Sequence, residues 1–150
     1  MALPDAVNIT MDVLENSFIV FFVTHPTAEI PSGDVAIYGE ILPPRPLLHD
    51  VETNKPATAL VVKSIPGTRE TDGGLRKPIL LIRSYGHDSY SARTLSSLVE
   101  EVLHDQTFDH TDSSNTTHRI EYEMISGPNT GIETGTDFPY CDRLYSTAVM

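Results

Sequence analysis

The chain has few of the features that identify disulfide-bonded, membrane or secreted proteins. It contains a single cysteine, Cys141, which excludes an internal disulfide framework. Its longest uninterrupted apolar run, Phe18 to Val23, is far shorter than the roughly 20 residues that a membrane-spanning helix needs. The N-terminal residues, Met1 to Asp5, include no basic segment of the kind that begins a secretory signal. We therefore expect a protein made in the cytoplasm, with no membrane partner.

Basic residues are also scarce. The 150 residues include 10 Lys and Arg against 21 Asp and Glu, a formal net charge of −11. A nucleic-acid-binding protein needs a basic face to neutralise phosphates, so we expect no specific binding of DNA or RNA. A surface past which DNA merely moves would instead be acidic or neutral. The length fits one domain, residues 1–150, with long polar loops around a small core.

No hydrolase, zinc-finger or nucleotide-binding motif occurs in the chain. One group of imidazoles and carboxylates offers ligands for zinc or manganese, but its spacing matches no recognised site, and a solvated helix end is the simpler interpretation. The group comprises His104, Asp105, Asp109, His110 and Asp112.

Two other positions have alternative interpretations. His87 and Asp88 form a possible acid–base pair, although Asp88 fits a turn and helix cap better. Cys141 precedes an acidic residue, which does not lower a thiol pKa, so an inert thiol is favoured over a nucleophile. We therefore predict no catalytic residue, no metal, no cofactor and no enzymatic activity. A small metal-dependent hydrolase remains the alternative from a different class.

The N-terminal part, residues 1–56, is predicted to be a helix followed by an extended, proline-rich arm. Apolar residues have roughly helical spacing over residues 5–16, and the run 18–23 fits either a continuation of the helix or a strand. A short strand is predicted over residues 35–42. Pro43, Pro44 and Pro46 then favour an extended path.

The remaining part, residues 57–150, is predicted to form a sheet and the main helix. Two strands, 57–65 and 79–85, flank a polar loop at 68–74 and indicate a hairpin. A helical apolar stripe follows, with Ser89 or Ser91 as a possible cap. The stripe consists of Ala92, Leu95, Leu98, Val99, Val102 and Leu103.

Beyond this helix, residues 105–117 have no periodicity and are predicted to be a mobile loop. Alternation over residues 119–124 predicts a half-buried strand that ends at Gly127-Pro128. The last strand is expected over 144–149. The predicted fold is α+β, with a mainly antiparallel sheet of four to five strands and two helices packed on one face.

Residues 77–86, Lys-Pro-Ile-Leu-Leu-Ile-Arg-Ser-Tyr-Gly, precede a helix of pattern Ala-x-x-Leu-x-x-Leu-Val-x-x-Val-Leu that begins at Ala92. This combination resembles the tail-terminator, or tail-completion, proteins of long-tailed bacteriophages. The likeness extends over residues 57–150 and includes a final strand at 139–149. It implies a structural virion protein, made in the host cytoplasm, that forms a ring, usually of six copies, at the head-proximal end of the tail tube.

Such a ring ends polymerisation of the tail tube protein and provides a docking surface for the head connector or stopper protein, while DNA passes through its lumen without specific binding. A head-side neck protein, such as a connector, stopper or head-completion protein, is the alternative within the same class. We expect ring and tube contacts from the loops 68–75, 105–117 and 131–139. The candidate interface residues are Arg69, Glu70, Asp72, Tyr90, Asp109, Asp112, Phe138 and Tyr140.

Overall fold

The computed structural model describes residues 6–24, 35–40, 58–65, 71–72, 75–134 and 137–149, with only the backbone described for residues 22, 71–72 and 75–76. These residues form two helices and eight strands. The helices are α1, Ala6–Thr24, and α2, Ser89–Leu103. The strands are β1 (Ala36–Gly39), β2 (Ala59–Ser64), β3 (Thr71–Asp72), β4 (Leu75–Arg76), β5 (Ile79–Tyr85), β6 (Thr107–Thr111), β7 (Thr117–Ile132) and β8 (Pro139–Val149).

The strands form one mixed sheet, and both helices pack on the same face of it. The six longer strands lie in the order β1-β2-β5-β8-β7-β6, while the two-residue strands β3 and β4 pair beside the end of β8. β1 runs parallel to β2, and the other pairings are antiparallel. The α+β prediction, with helices on one face, is therefore confirmed. The prediction of a four- to five-stranded antiparallel sheet is wrong, because β1 and β6 add strands and β1 is parallel.

The main core lies between the helices and the sheet. Leu14 and Phe18 of α1 and Leu95 of α2 pack against Leu80 and Tyr145 of the central strands. A buried hydrogen bond of 2.8 Å between the Thr10 and Tyr122 hydroxyls also ties α1 to β7. Burial of apolar side chains thus fixes both helices to β5 and β8, and the hydrogen bond also fixes α1 to β7.

The apolar run 18–23 continues α1, which resolves the choice between helix and strand left open by the sequence. Phe18 lies in the core, but Ile19, Val20 and Val23 are 53%, 65% and 75% exposed. The last turns of α1 are thus apolar on both the core side and the outer side. This is unusual for a surface helix, whose outer face is normally polar.

The Tyr-Gly turn leads from β5 into α2 by close backbone contact. A Cβ atom built on Gly86 would lie 2.6 Å from the Ala92 nitrogen, so only glycine fits this approach. The N-cap is Asp88, whose Oδ1 accepts a 2.7 Å hydrogen bond from the Ser91 amide. The interpretation of Asp88 as a cap is confirmed, and the prediction that Ser89 or Ser91 caps the helix is wrong.

Residues 105–117 form a β-hairpin arm, so the prediction of a mobile loop there is wrong. β6 pairs with the first part of β7, with Phe108 opposite Ile120. The turn is held by Asp112, whose Oδ1 accepts hydrogen bonds of 2.9 Å from the Ser114 and Thr116 amides. Asp105, with a φ of 57°, reverses the chain from α2 into this hairpin.

β7 continues beyond Gly127-Pro128, where the sequence predicts its end. The register between β7 and β8 shifts between Met124 and Ser126 and again between Ser126 and Asn129, which accommodates the Gly-Pro step as an irregularity inside the strand. β8 spans Pro139–Val149. The 139–149 range implied by the resemblance is thus confirmed, whereas the 144–149 range read from the sequence pattern is too short.

Candidate assembly interface

Asp109 and Asp112 lie at the distal end of the β6–β7 hairpin, with different surroundings. Asp109 receives a 3.1 Å hydrogen bond from Arg119 Nε, and both side chains are more than half exposed, so this pair adds little stability. Asp112 belongs to the hairpin turn. The Thr116 amide and the His118 side chain lower the pKa of its carboxyl group. Asp109 is therefore the more accessible of the two for an intermolecular contact.

The possible metal ligands of the sequence do not converge. His110 Nε2 lies 3.0 Å from Asp12 of α1, and His118 Nε2 lies 3.1 Å from Asp112. His104 accepts a 3.1 Å hydrogen bond from the Met124 amide. Within the described part of the chain, no three His, Cys, Asp or Glu side chains group as a metal site. The cluster that the metal-hydrolase alternative requires is thus not assembled.

The other side chains considered for catalysis, His87, Asp88 and Cys141, lie at a helix cap or in the interior of the sheet. Asp88 is engaged as the helix cap, and His87 is exposed beside it. Cys141 is fully buried on the helix side of β8. A nucleophile needs access to substrate, so burial agrees with the interpretation of Cys141 as an inert thiol.

Tyr140 belongs to a polar cluster on the sheet face opposite the helices. The Arg83 guanidinium lies 3.9 Å from the centre of the Tyr140 ring and makes two hydrogen bonds to Asp142, of 2.7 and 2.8 Å. The two hydrogen bonds fix the plane of the guanidinium, which then stacks on the ring. Tyr140 is half-buried, so only part of its ring is accessible to a partner.

Phe138 is only 1% exposed and packs edge-on against Tyr85, with ring centroids 6.3 Å apart. The Tyr85 hydroxyl donates a hydrogen bond to Glu133, and burial is the main cause of the raised pKa of Tyr85. Phe138 therefore presents no side-chain surface in this conformation and instead anchors the connection between β7 and β8 to the sheet.

The remaining candidate residues lie on α2, on β3 or outside the described part of the chain. Tyr90 lies in the first turn of α2 and is 65% exposed. Arg69 and Glu70 lie outside the described residues, and Asp72 is described only as part of the β3 backbone. Of the eight candidates, the structure thus places Tyr90, Asp109 and Asp112 at the surface and Tyr140 partly so. It does not gather them into one patch, because they lie on α2, the hairpin and the opposite sheet face.

Two surface features were missed by the sequence analysis. The first is the open edges of the sheet. Among the described residues, β1 pairs only with β2, β6 pairs only with β7, and residues 125–132 pair only with β8. The second is the exposed apolar end of α1. Six consecutive apolar residues inside one helix were the sequence signal for it, since no single core face can bury all of them.

The surface near the base of the hairpin is acidic. A shallow cleft of about 420 Å³ is lined by Asp105, Glu121 and Glu123 and by Lys77. The two glutamates are exposed and alternate with the buried Ile120 and Tyr122 along β7. This surface would repel a phosphate backbone rather than bind it.

Comparison with protein-family models found no model that matches the chain, and comparison with curated proteins found no significant match. Within the described residues, neither helix combines the length and apolar character needed to cross a membrane.

Proposed function

We propose that this protein is a structural virion protein that forms a ring at the head-proximal end of a phage tail tube. The ring ends polymerisation of the tube and offers a docking surface to the head connector. The motif at residues 77–86, with the helix that follows, motivates the proposal through its resemblance to tail terminators. The structural observation that supports the proposal best is that the two edges of the sheet are formed by different strands.

A closed ring needs two different faces on each subunit, because each copy contacts its neighbours head to tail. Among the described strands, one edge of the sheet is the short strand β1, and the other is formed by β6 and residues 125–132 of β7. Strand edges present unpaired backbone donors and acceptors, which a neighbouring chain can pair. Since the two edges differ, their pairing is heterologous and compatible with a ring.

The hydrogen bonds of the hairpin indicate which groups of β6 face outward. The Tyr122 amide donates to the Gln106 carbonyl, and the Asp112 amide donates to the Thr116 carbonyl. Because pairing alternates along an antiparallel strand, the backbone groups of Thr107, Asp109 and Thr111 point away from β7. Asp109 is thus a position where edge pairing can be removed without breaking the hairpin.

The charge of the chain also suits a ring through which DNA passes. A net charge of −11 and the acidic surface at the base of the hairpin disfavour retention of DNA.

The length distribution of tails, measured by negative-stain electron microscopy after the gene is silenced in the encoding phage, tests the proposal directly. Overlong tails without heads are expected. Tails of normal length that fail to join heads would instead indicate the neck-protein alternative, and an unchanged lysate would refute both.

A second test uses Asp109→Pro with Asp109→Asn as the matched control. Proline removes the outward backbone donor of the edge strand, a position where it is tolerated, whereas asparagine retains that donor. We expect Asp109→Pro to remain folded but to lose ring formation on purified tail tubes, observed by electron microscopy. Asp109→Asn should form rings. Rings of Asp109→Pro as abundant as those of the unmodified protein would show that this edge is not the interface.

A further inference from the structure

The exposed end of α1 borders a groove that the ring proposal does not use. The groove has a volume of about 540 Å³ and lies between the C-terminal halves of α1 and α2 and the strand β6. Phe21, Val102 and Phe108 line it and are partly buried against the main core. Val20 forms its outer wall, and Ile19 and Val23 extend the apolar surface beyond it.

This apolar surface is continuous and oriented by helix geometry. Val23 follows Ile19 by four positions and Val20 by three, so these exposed apolar side chains are neighbours on the surface of α1. Val20 lines the groove, with the polar side chains of Ser17 and Thr24 beside it. Exposed valine and isoleucine side chains grouped in this way, beside a groove, are characteristic of a binding surface rather than of scattered surface residues.

The charges around the groove indicate the charge that a binding partner should have. Glu101 is the one charged side chain among the groove-lining residues described, and it is exposed. α1 contains Asp12 and Glu15 but no Lys or Arg. The single basic residue of α2, Arg93, precedes Glu101 by eight positions, or about 12 Å along the helix. The C-terminal end of α1 adds the partial negative charge of its helix dipole.

We propose that this groove binds an amphipathic segment of another protein, with an apolar face for Val20 and Phe21 and with Lys or Arg beside it. A groove between helices is a common receptor for such a segment. A second copy of this chain is disfavoured, because both copies carry a net charge of −11 and the described groove residues include Glu101 but no Lys or Arg to pair with it. An anionic membrane surface is disfavoured because it would face the same carboxylate. A small apolar ligand in the groove would leave Ile19 and Val23 uncovered. The inference is independent of the ring proposal.

The test measures fluorescence anisotropy of a labelled 14-residue helical peptide of Leu and Lys, titrated with the full chain. A peptide with Glu in place of Lys serves as the charge control. Saturable binding of the Leu/Lys peptide and none of the Leu/Glu peptide is expected. Absence of binding by the Leu/Lys peptide, or equal binding of both peptides, would overturn the proposal.

Two matched pairs of substitutions separate groove binding from general attraction to an acidic protein. Val20→Thr with Val23→Thr keeps side-chain shape but should weaken binding about tenfold, because each change replaces a methyl buried by the peptide with a hydroxyl. Ile125→Thr with Ile132→Thr alters exposed residues of β7 and should change affinity by less than about twofold. Equal effects of the two pairs, or no effect of the α1 pair, would overturn the proposal.

Glu101→Gln tests the charge contribution and is expected to weaken binding of the Leu/Lys peptide about two- to fivefold, the range of an exposed ion pair. Analytical ultracentrifugation of the unmodified chain and of the α1 variant completes the test. Concentration-dependent dimers that disappear in Val20→Thr with Val23→Thr would assign the groove to a second copy and would overturn the proposed partner. A sedimentation profile that the substitutions leave unchanged is expected.

Discussion

Replacing Glu100 with alanine is expected to destabilise the protein more than replacing its partner Arg143 with methionine. Arg143 of β8 is 6% exposed, and its Nη1 lies 2.7 Å from Glu100 Oε2 of α2. The Arg143 guanidinium also donates hydrogen bonds to Ser96 Oγ at 2.7 Å, to Ser97 Oγ at 3.4 Å and to Met124 Sδ at 3.1 Å. The ion pair thus links the main helix to the centre of the sheet.

The asymmetry follows from the different exposure of the two partners. Glu100→Ala leaves a buried guanidinium without a counter-charge, which we expect to cost about 3 kcal/mol, at the lower end for a buried pair because the Glu100 side chain is one-third exposed. Arg143→Met retains an apolar stem in the core and leaves a carboxylate that water can reach. Its expected cost is about 1–2 kcal/mol.

Urea unfolding followed by far-UV circular dichroism measures both values. Glu101→Ala is the matched control, since Glu101 is exposed and adjacent in the same helix, and a change within about 0.5 kcal/mol is expected. The double variant Glu100→Ala with Arg143→Met should be more stable than Glu100→Ala alone, because it no longer buries an unpaired charge. A double variant as unstable as the sum of the single variants, or equal costs for Glu100→Ala and Glu101→Ala, would refute this reasoning.

Two further predictions concern the Tyr-Gly turn and the buried tyrosines. Gly86→Ala should cost about 2 kcal/mol or more, because its Cβ would lie 2.6 Å from the Ala92 nitrogen, whereas Gly39→Ala meets the flexible Met11 side chain and should cost less in the same urea assay. Burial raises the pKa of three tyrosines: Tyr85, Tyr122 and Tyr145. Because the folded pKa lies above the unfolded one, this stability is complete below about pH 10 and is lost as the pH rises further. Unfolding free energy should therefore fall, by up to about 4 kcal/mol per pH unit for three protons, and urea midpoints that stay constant between pH 9 and 12 would contradict this.

The elements with strong apolar periodicity could be predicted from the sequence. The stripe of α2 is present, with Leu95 fully buried, and the alternation of Ile120 and Tyr122 with exposed neighbours appears in β7 as expected. The hairpin of β2 and β5 is confirmed by their antiparallel register. In these segments the apolar positions are buried and the polar positions are exposed, so the sequence pattern and the tertiary packing favour the same secondary structure.

The exposure of the candidate interface residues could not be predicted from the sequence, because accessibility depends on long-range packing. Phe138 and Tyr140 are aromatic residues beside a loop, a pattern typical of interfaces, yet Phe138 is buried against Tyr85 and Tyr140 lies under Arg83. Tyr90 and Asp109 are exposed, as a contact role requires. No local feature of the sequence distinguishes the buried from the exposed candidates. The residues that cover Phe138 and Tyr140, namely Tyr85 and Arg83, are more than fifty positions away from them in the sequence.

The sequence by itself determined the acidic charge, the main helix, the turn at Gly86 and the α+β class, because these depend on composition and on short-range periodicity. Tertiary structure alone decided the parallel pairing of β1, the identity of 107–111 as a strand and the passage of β7 through Gly127-Pro128. Each of these depends on hydrogen bonds to a neighbouring strand of the sheet, which can outweigh a weak local preference. The same holds for the apolar run of α1, which is a helix because Leu14 and Phe18 pack on the sheet, while Val20 and Val23 remain exposed at its end.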